Sequence, residues 1–226
     1  LYLQRNQLAQ LVETALSGLS RLQVLDMSNN RLNTLPPKVL QGSSDLKELY
    51  LQNNSIGLLS PSTFRGLQQL VVLNLSDNQI SSEWIAPETF ADLIRLVVLH
   101  LSSNRLRHIN ATAFATQYSL QILHLDGNQI ETIDDNAFAA LYNLHTLILS
   151  GNRLKNLDAY TFNGLYVLSN LALDSNLLEE LHPDTFRNCS SLQDLELSRR
   201  EAPAVCVALT ELDELRVHRV DGVLDE

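Results

Sequence analysis

The chain has 226 residues, 45% of them hydrophobic and 19% charged, with a formal net charge of -10. Enough apolar residue is present to fold, and the acidic excess argues against a phosphate-binding surface, so nucleic acid is not expected as a partner. No apolar run approaches the roughly 18 residues of a membrane span, and residues 1–10 lack the build of an export signal, so no direct membrane contact is expected from this chain.

The opening residues, LYLQRNQL, read as the tail of a motif that then returns whole. The next copies are Leu22, Leu25, Met27, Asn30 and Leu32, then Leu46, Leu49, Leu51, Asn54 and Ile56, and further ones run through 70–80, 96–106, 120–130, 144–154 and 168–178. The pattern asparagines Asn6, Asn30, Asn54, Asn78, Asn104, Asn128, Asn152 and Asn176 stand 24 residues apart, except for a step of 26 between Asn78 and Asn104. Length alone would give one or two globular domains, but a fixed period overrides that prior. The LxL core of each copy alternates with period two, which predicts a short strand, and equal spacing stacks the strands in parallel about 4.8 Å apart.

Other positions repeat in phase. Phe64, Phe90, Phe114, Phe138, Phe162 and Phe186 form an aromatic column on the far side of the coil, with Leu16 and Leu40 in its place earlier. Leu35, Leu59, Ile109, Ile133, Leu157 and Leu181 fall five residues after the pattern asparagines, so the interior is apolar all round. A turn leaves backbone donors and acceptors that no strand satisfies, and each costs about 1 to 3 kcal/mol if buried unpaired. An Asn side chain carries both a donor and an acceptor, which is why that residue type suits the structural ladder.

The motif LxxLxLxxNxL with its 24-residue period, together with the AFxxLxxL element at Ala137, Phe138, Leu141 and Leu144, resembles the extracellular leucine-rich repeats of Toll-like receptors. The stretches LYLQNNSIGLLSPSTFRGLQQLVVLNLS and SSEWIAPETFADLIRLVVLHLSSN, within 49–104, are similar to the long Toll receptors of arthropods. The resemblance implies an α/β repeat fold: a curved leucine-rich-repeat solenoid, or horseshoe, with a parallel concave β-sheet and an irregular convex side. It also implies an extracellular position in a single-pass plasma-membrane protein whose membrane span is not in this chain.

The repeats are expected to cover 1–198, starting mid-repeat, with 199–226 a degenerate terminal repeat or cap-like segment. Arg200 stands where Asn is due, and two registers compete for the last strand. A 20-residue step aligns Leu212, Leu215, Val217 and Val220 with the apolar pattern and puts Arg216 beside Glu196; a 23-residue step uses Leu215, Val220 and Val223 and turns His218 inward. The first is preferred. Acidic Asp221, Asp225 and Glu226 would aid solubility at an open end, and a repeat array with open ends can also form a homodimer through them. Cys189 takes the place of a Leu three residues after Phe186 and is expected to be buried, whereas Cys206 falls at another phase of the coil, which makes a bridge between them geometrically doubtful.

The residues between the inward leucines list the candidate protein-binding face. The central row is Tyr2, Asp26, Tyr50, Asn74, His100, His124, Ile148, Ala172 and Glu196, with an apolar strip of Val72, Val98 and Ile122 and polar neighbours including Gln52, Asp77, Ser102 and Asp126. Tyr anchors beside apolar and polar groups suit protein recognition; the competing reading is a solvated sheet whose partner contacts the flank. His100 and His124 hold equivalent places on adjacent strands and should raise each other's cost of protonation, which would make the face acid-sensitive. With no third ligand at suitable spacing, no metal and no cofactor are expected. Sequons at Asn53, Asn74, Asn110 and Asn188 are candidate glycosylation sites. Trp84, in the two-residue insertion, either covers an adjacent coil or forms a flank bulge.

No G-x-G-x-x-G, P-loop, H-E-x-x-H or G-x-S-x-G element is present, so no catalytic residue is assigned. The resemblance implies a receptor of innate immunity or development whose partner is a Spätzle-like cystine-knot cytokine. Two alternatives stand beside it: an adhesion or planar-polarity receptor that binds another leucine-rich-repeat ectodomain, and a cytosolic repeat scaffold.

Overall fold

The computed structural model describes residues 1–198 and the backbone of 216–220. Its strands in chain order are β1 (Val24–Asp26), β2 (Glu48–Tyr50), β3 (Val72–Asn74), β4 (Val98–His100), β5 (His108–Ile109), β6 (Ile122–His124), β7 (Thr132–Ile133), β8 (Thr146–Ile148), β9 (Asn156–Leu157), β10 (Asn170–Ala172), β11 (Glu180–Leu181), β12 (Asp194–Ser198) and β13 (Arg216–Val220). Among the described residues the helical pieces are a 3-10 turn at Ser82–Trp84 and one α-helical turn, α1 (Pro87–Phe90).

Strands β1, β2, β3, β4, β6, β8, β10, β12 and β13 form one parallel sheet in that order. The register does not slip: Leu25 lies opposite Leu49, and the row continues through Leu73, Leu99, Leu123, Leu147, Leu171 and Leu195. Because strand side chains alternate, one register sends every leucine inward and every intervening residue to the opposite face. Tyr2 bridges to Asp26 and carries the outward row one coil further.

The register of the last strand differs from both sequence alternatives. Leu195 pairs with Val217 and Glu196 with His218, so the step is 22 residues and Arg216 lies opposite Asp194 rather than Glu196. The ladder between β12 and β13 runs over five residue pairs where its neighbours run over three, so backbone pairing and not leucine spacing sets the register there. Cys206 and the rest of 199–226 lie outside the described residues.

The interior is continuous. Leu25, Leu49, Leu73, Leu99, Leu123 and Leu147 have no exposed surface, and Phe64, Phe90, Phe114, Phe138 and Phe162 are buried at the far wall. The stacked phenylalanine rings stand 5.8 to 6.4 Å apart, whereas paired strands stand about 4.8 Å apart. Coils spaced more widely on one side than on the other must curve, and the sheet therefore lines the concave side.

From Asn30 to Asn176, each ladder asparagine ties two coils together. Asn128 Nδ2 donates to Leu125 O of its own coil at 2.9 Å and to Leu101 O of the preceding coil at 2.9 Å, while its Oδ1 accepts from Leu106 N at 3.1 Å. The same pattern recurs at Asn30, Asn54, Asn78, Asn104, Asn152 and Asn176. Asn6, in the first coil, donates only to Leu3 O and Gln4 O. The residue just before each ladder Asn turns the chain out of the sheet with a left-handed backbone: Arg5, Asn29, Asn53, Asp77, Ser103 and Ser175 have φ between 52° and 56°, and Gly127 and Gly151 supply the same turn. In the inserted coil, Trp84 is half-buried against the core and its carbonyl accepts from Thr89 Oγ1 at 2.9 Å, so the insertion packs down onto the solenoid.

Candidate functional site

The concave face is built by the strand register alone, because each coil delivers its outward residue to the same height. Asp26, Tyr50, Asn74, His100, His124 and Ile148 form one row and are half-buried by their neighbours. Ala172 continues the row but is buried, while Tyr2 and Glu196 at the two ends are exposed. The strip Val72, Val98 and Ile122 runs alongside, each residue paired with the next and half-buried.

Several of these side chains are held in fixed positions. The Tyr50 hydroxyl donates to Glu48 Oε2 at 2.9 Å; burial pushes its pKa up, and the Glu48 carboxylate adds to the effect. The imidazoles of His100 and His124 stack with centroids 4.5 Å apart and planes 27° from parallel. Burial, then the neighbouring His124, pushes His100 below the usual histidine range, although Asp126 acts the other way. At Asp126 burial opposes ionisation, but the nearby His124 imidazole and the hydrogen bond from Ser102 outweigh it and hold the carboxyl below its ordinary value. The Ser102 hydroxyl donates to Asp126 Oδ1 at 2.7 Å, and His124 Nδ1 lies 3.7 Å from the same oxygen. The face thus combines a fixed aromatic anchor, an apolar strip and a compact His–Asp–Ser cluster.

The sequons fall in different settings. Asn74 stands in the central row with its Oδ1 accepting from Ser76 N and Ser76 Oγ, so a glycan there would project over the concave face. Asn53 is exposed at the turn out of β2 and donates to Asn29 Oδ1 at 2.8 Å. Asn110 lies beyond β5 and accepts from Thr112 N and Thr112 Oγ1, each at 2.9 Å. Asn188 Nδ2 donates to Asn163 Oδ1 at 2.8 Å, in line with the bond from Asn163 to Asn136. Cys189 is a free thiol, and burial pushes its pKa up to about 12.

One surface escaped the sequence reading. Ile94, Tyr118, Tyr142 and Tyr166 hold the same place before four successive strands, all are exposed, and the Tyr118 and Tyr142 rings stack at 5.7 Å. Beside this ridge runs a trough lined by Lys47, Gln69, Arg95, Gln121 and Asn143. The signal was present, since Tyr118, Tyr142 and Tyr166 recur at the 24-residue period.

The leucine rich repeat family matches residues 1–56, 44–106, 94–154 and 142–200. The chain belongs to the leucine-rich repeat family. A comparison with curated proteins gives no match. Among solved structures, the TLR13–ssRNA13 complex is similar at 31% identity over 85% of this chain, with a TM-score of 0.80. An LRR protein of Leptospira interrogans is similar at 28% identity over 95%, with a TM-score of 0.81. The Toll–Spatzle complex of Drosophila shares the fold over 96% of this chain, at 21% identity and a TM-score of 0.82. This chain spans 28%, 53% and 30% of those three chains, respectively.

The leucine-rich repeat fold builds binding surfaces, and its structural neighbours include Toll and TLR13. One expectation from composition needs correction. Because the TLR13 structure is a complex with ssRNA, the fold gives no ground for excluding nucleic acid, and that exclusion rests on charge alone. Among the described residues, no helix is long and apolar enough to cross a membrane.

Proposed function

We propose that the chain is the ligand-binding part of a Toll-type cell-surface receptor of innate immunity or development, and that its concave face takes a protein ligand of the Spätzle kind. The observation that carries the proposal is the 31% identity to TLR13 over 85% of the chain, on a shared solenoid. The Toll–Spatzle complex adds a fold neighbour whose partner is a protein. In this reading, Tyr50, His100 and His124 anchor the ligand, Val72, Val98 and Ile122 give it apolar contact, and Asn53, Asn74, Asn110 and Asn188 are extracellular glycosylation sites. Hot spots centre on aromatic groups held rigid before binding, which describes Tyr50 and the stacked imidazoles.

The test is binding of a purified Spätzle-type cytokine to the glycosylated chain and to a Tyr50→Ala, His124→Ala variant. The expected result is saturable binding that the variant weakens at least about tenfold. Absence of saturable binding, or full affinity in the variant, overturns the reading. The exposed Tyr118, Tyr142 and Tyr166 ridge favours a second reading, adhesion through the flank to another leucine-rich-repeat ectodomain. Cell aggregation that depends on Tyr142 and not on Tyr50 would support it.

A further inference from the structure

From β1 to β10, four rows of side chains make up the sheet face and the turn that leaves it. They carry five carboxylates, Asp26, Glu48, Asp77, Asp126 and Asp174, and no Lys or Arg. From this asymmetry we infer that the partner of the concave face is a folded protein presenting a cationic patch, an inference that rests on the concave-binding reading above.

The carboxylates are positioned without being neutralised. Asp26 Oδ1 accepts from Ser28 N at 2.9 Å, Glu48 from the Tyr50 hydroxyl at 2.9 Å, and Asp174 from the Ser150 hydroxyl. Asp126 has the Ser102 hydroxyl and His124, whose charge depends on protonation. Asp77 is exposed at the left-handed turn after β3. Neutral donors fix geometry and leave the negative charge intact. The ion pairs of Lys and Arg, such as Arg153 with Glu131 at 3.6 Å and Lys155 with Glu179 at 3.5 Å, lie away from this face. Lys47 and Arg95 are on the flank trough before the strands.

Strand spacing makes the charges act together. Successive carboxylates in this series sit one or two strands apart, about 5 to 10 Å, which is comparable with the Debye length of about 8 Å at physiological salt. Their potentials therefore overlap over a concave surface, which concentrates the field and steers an oppositely charged partner. The Val72, Val98 and Ile122 strip lies among these carboxylates, so a partner needs an apolar centre with cations around it. Single-stranded RNA, the ligand in the TLR13 complex, would meet like charge here.

Fluorescence anisotropy on the intact chain at neutral pH tests the inference, with labelled octalysine as the cationic probe and octaglutamate and a single-stranded RNA as anionic ones. Two variants carry equal charge changes: D26N, E48Q, D77N, D126N and D174N together on the concave face, and E13Q, E88Q, D135N, D158N and E180Q at exposed positions elsewhere. The amides keep the acceptor oxygens, and matching thermal melts check folding. Octalysine should bind, more weakly as salt rises to about 0.15 M, and the concave variant should lose about tenfold in affinity while the other variant changes less than about twofold. Equal weakening by both variants overturns the inference, because attraction would then be a property of net charge. Equal or tighter binding of RNA or octaglutamate also overturns it, and neither result touches the Tyr50 and His124 test of concave binding. Loss in the second variant alone would place the cation site elsewhere and count against the concave reading as well.

Discussion

The two walls of the solenoid satisfy the same backbone by different means, and the contrast explains both its curvature and its surfaces. The concave wall is a continuous parallel ladder, reinforced from Asn30 to Asn176 by Asn side chains that bond to their own turn and to the preceding one. The opposite wall has turns, two-residue pairings such as β5 with β7 and β9 with β11, and a stack of phenylalanine rings. Hydrogen bonds have a narrow length range and fix the inner spacing, whereas ring packing tolerates a wider one. A polar side chain thus has a fixed role on one wall, and shape has it on the other.

The largest effect should come from breaking the ladder. Asn128→Leu leaves Leu106 N, Leu101 O and Leu125 O without their side-chain partner in a buried setting, and unfolding in urea should show a loss of about 4 kcal/mol. An unchanged melt would mean that water or shifted backbone replaces the ladder.

On the outer wall the corresponding weak point is a close approach. A Cβ at Gly164, where φ is +90°, would lie 2.6 Å from Ala139 Cα and Ala139 O, so Gly164→Ala should cost about 3 kcal/mol by the same measurement. The opposite sign is expected at the inner turn: Ser103 holds φ at 52° with a side chain where Gly127 and Gly151 have none, and Ser103→Gly should raise stability by about 0.5 kcal/mol.

The smallest effect is a pH slope. His100 has its folded pKa lowered by burial and by His124, so the unfolded chain binds the proton more readily. Its contribution is present above the unfolded value near 6.5 and is lost as pH falls through the window below it. Thermal melts from about pH 7.5 to about pH 5.5 should fall in the wild type and fall less in His100→Gln. Equal slopes would show that the stacked pair does not couple to folding.

Much of this was legible in the sequence because a repeat imposes its own alignment. Leu25, Leu49 and Leu73 name the inward row, Asn30, Asn54 and Asn78 name the ladder, and the intervening Asp26, Tyr50 and Asn74 name the outward row without reference to any distance. The register past Leu197 was not legible, because the ladder there runs over five pairs and the apolar residues no longer keep the period. Nor was the Tyr118 and Tyr142 ridge, since its exposure depends on how the coil returns to the sheet. Phase was readable there; accessibility was not.

The sequence by itself determined the period, the identity of the inward residues and hence the family, because an apolar side chain recurring at fixed steps has one economical burial. Only the tertiary structure decided how neighbouring coils combine their outward residues. The stacking of His100 on His124, the bond from Ser102 to Asp126, and the run of carboxylates without Lys or Arg from β1 to β10 arise from side chains of different coils meeting at strand spacing.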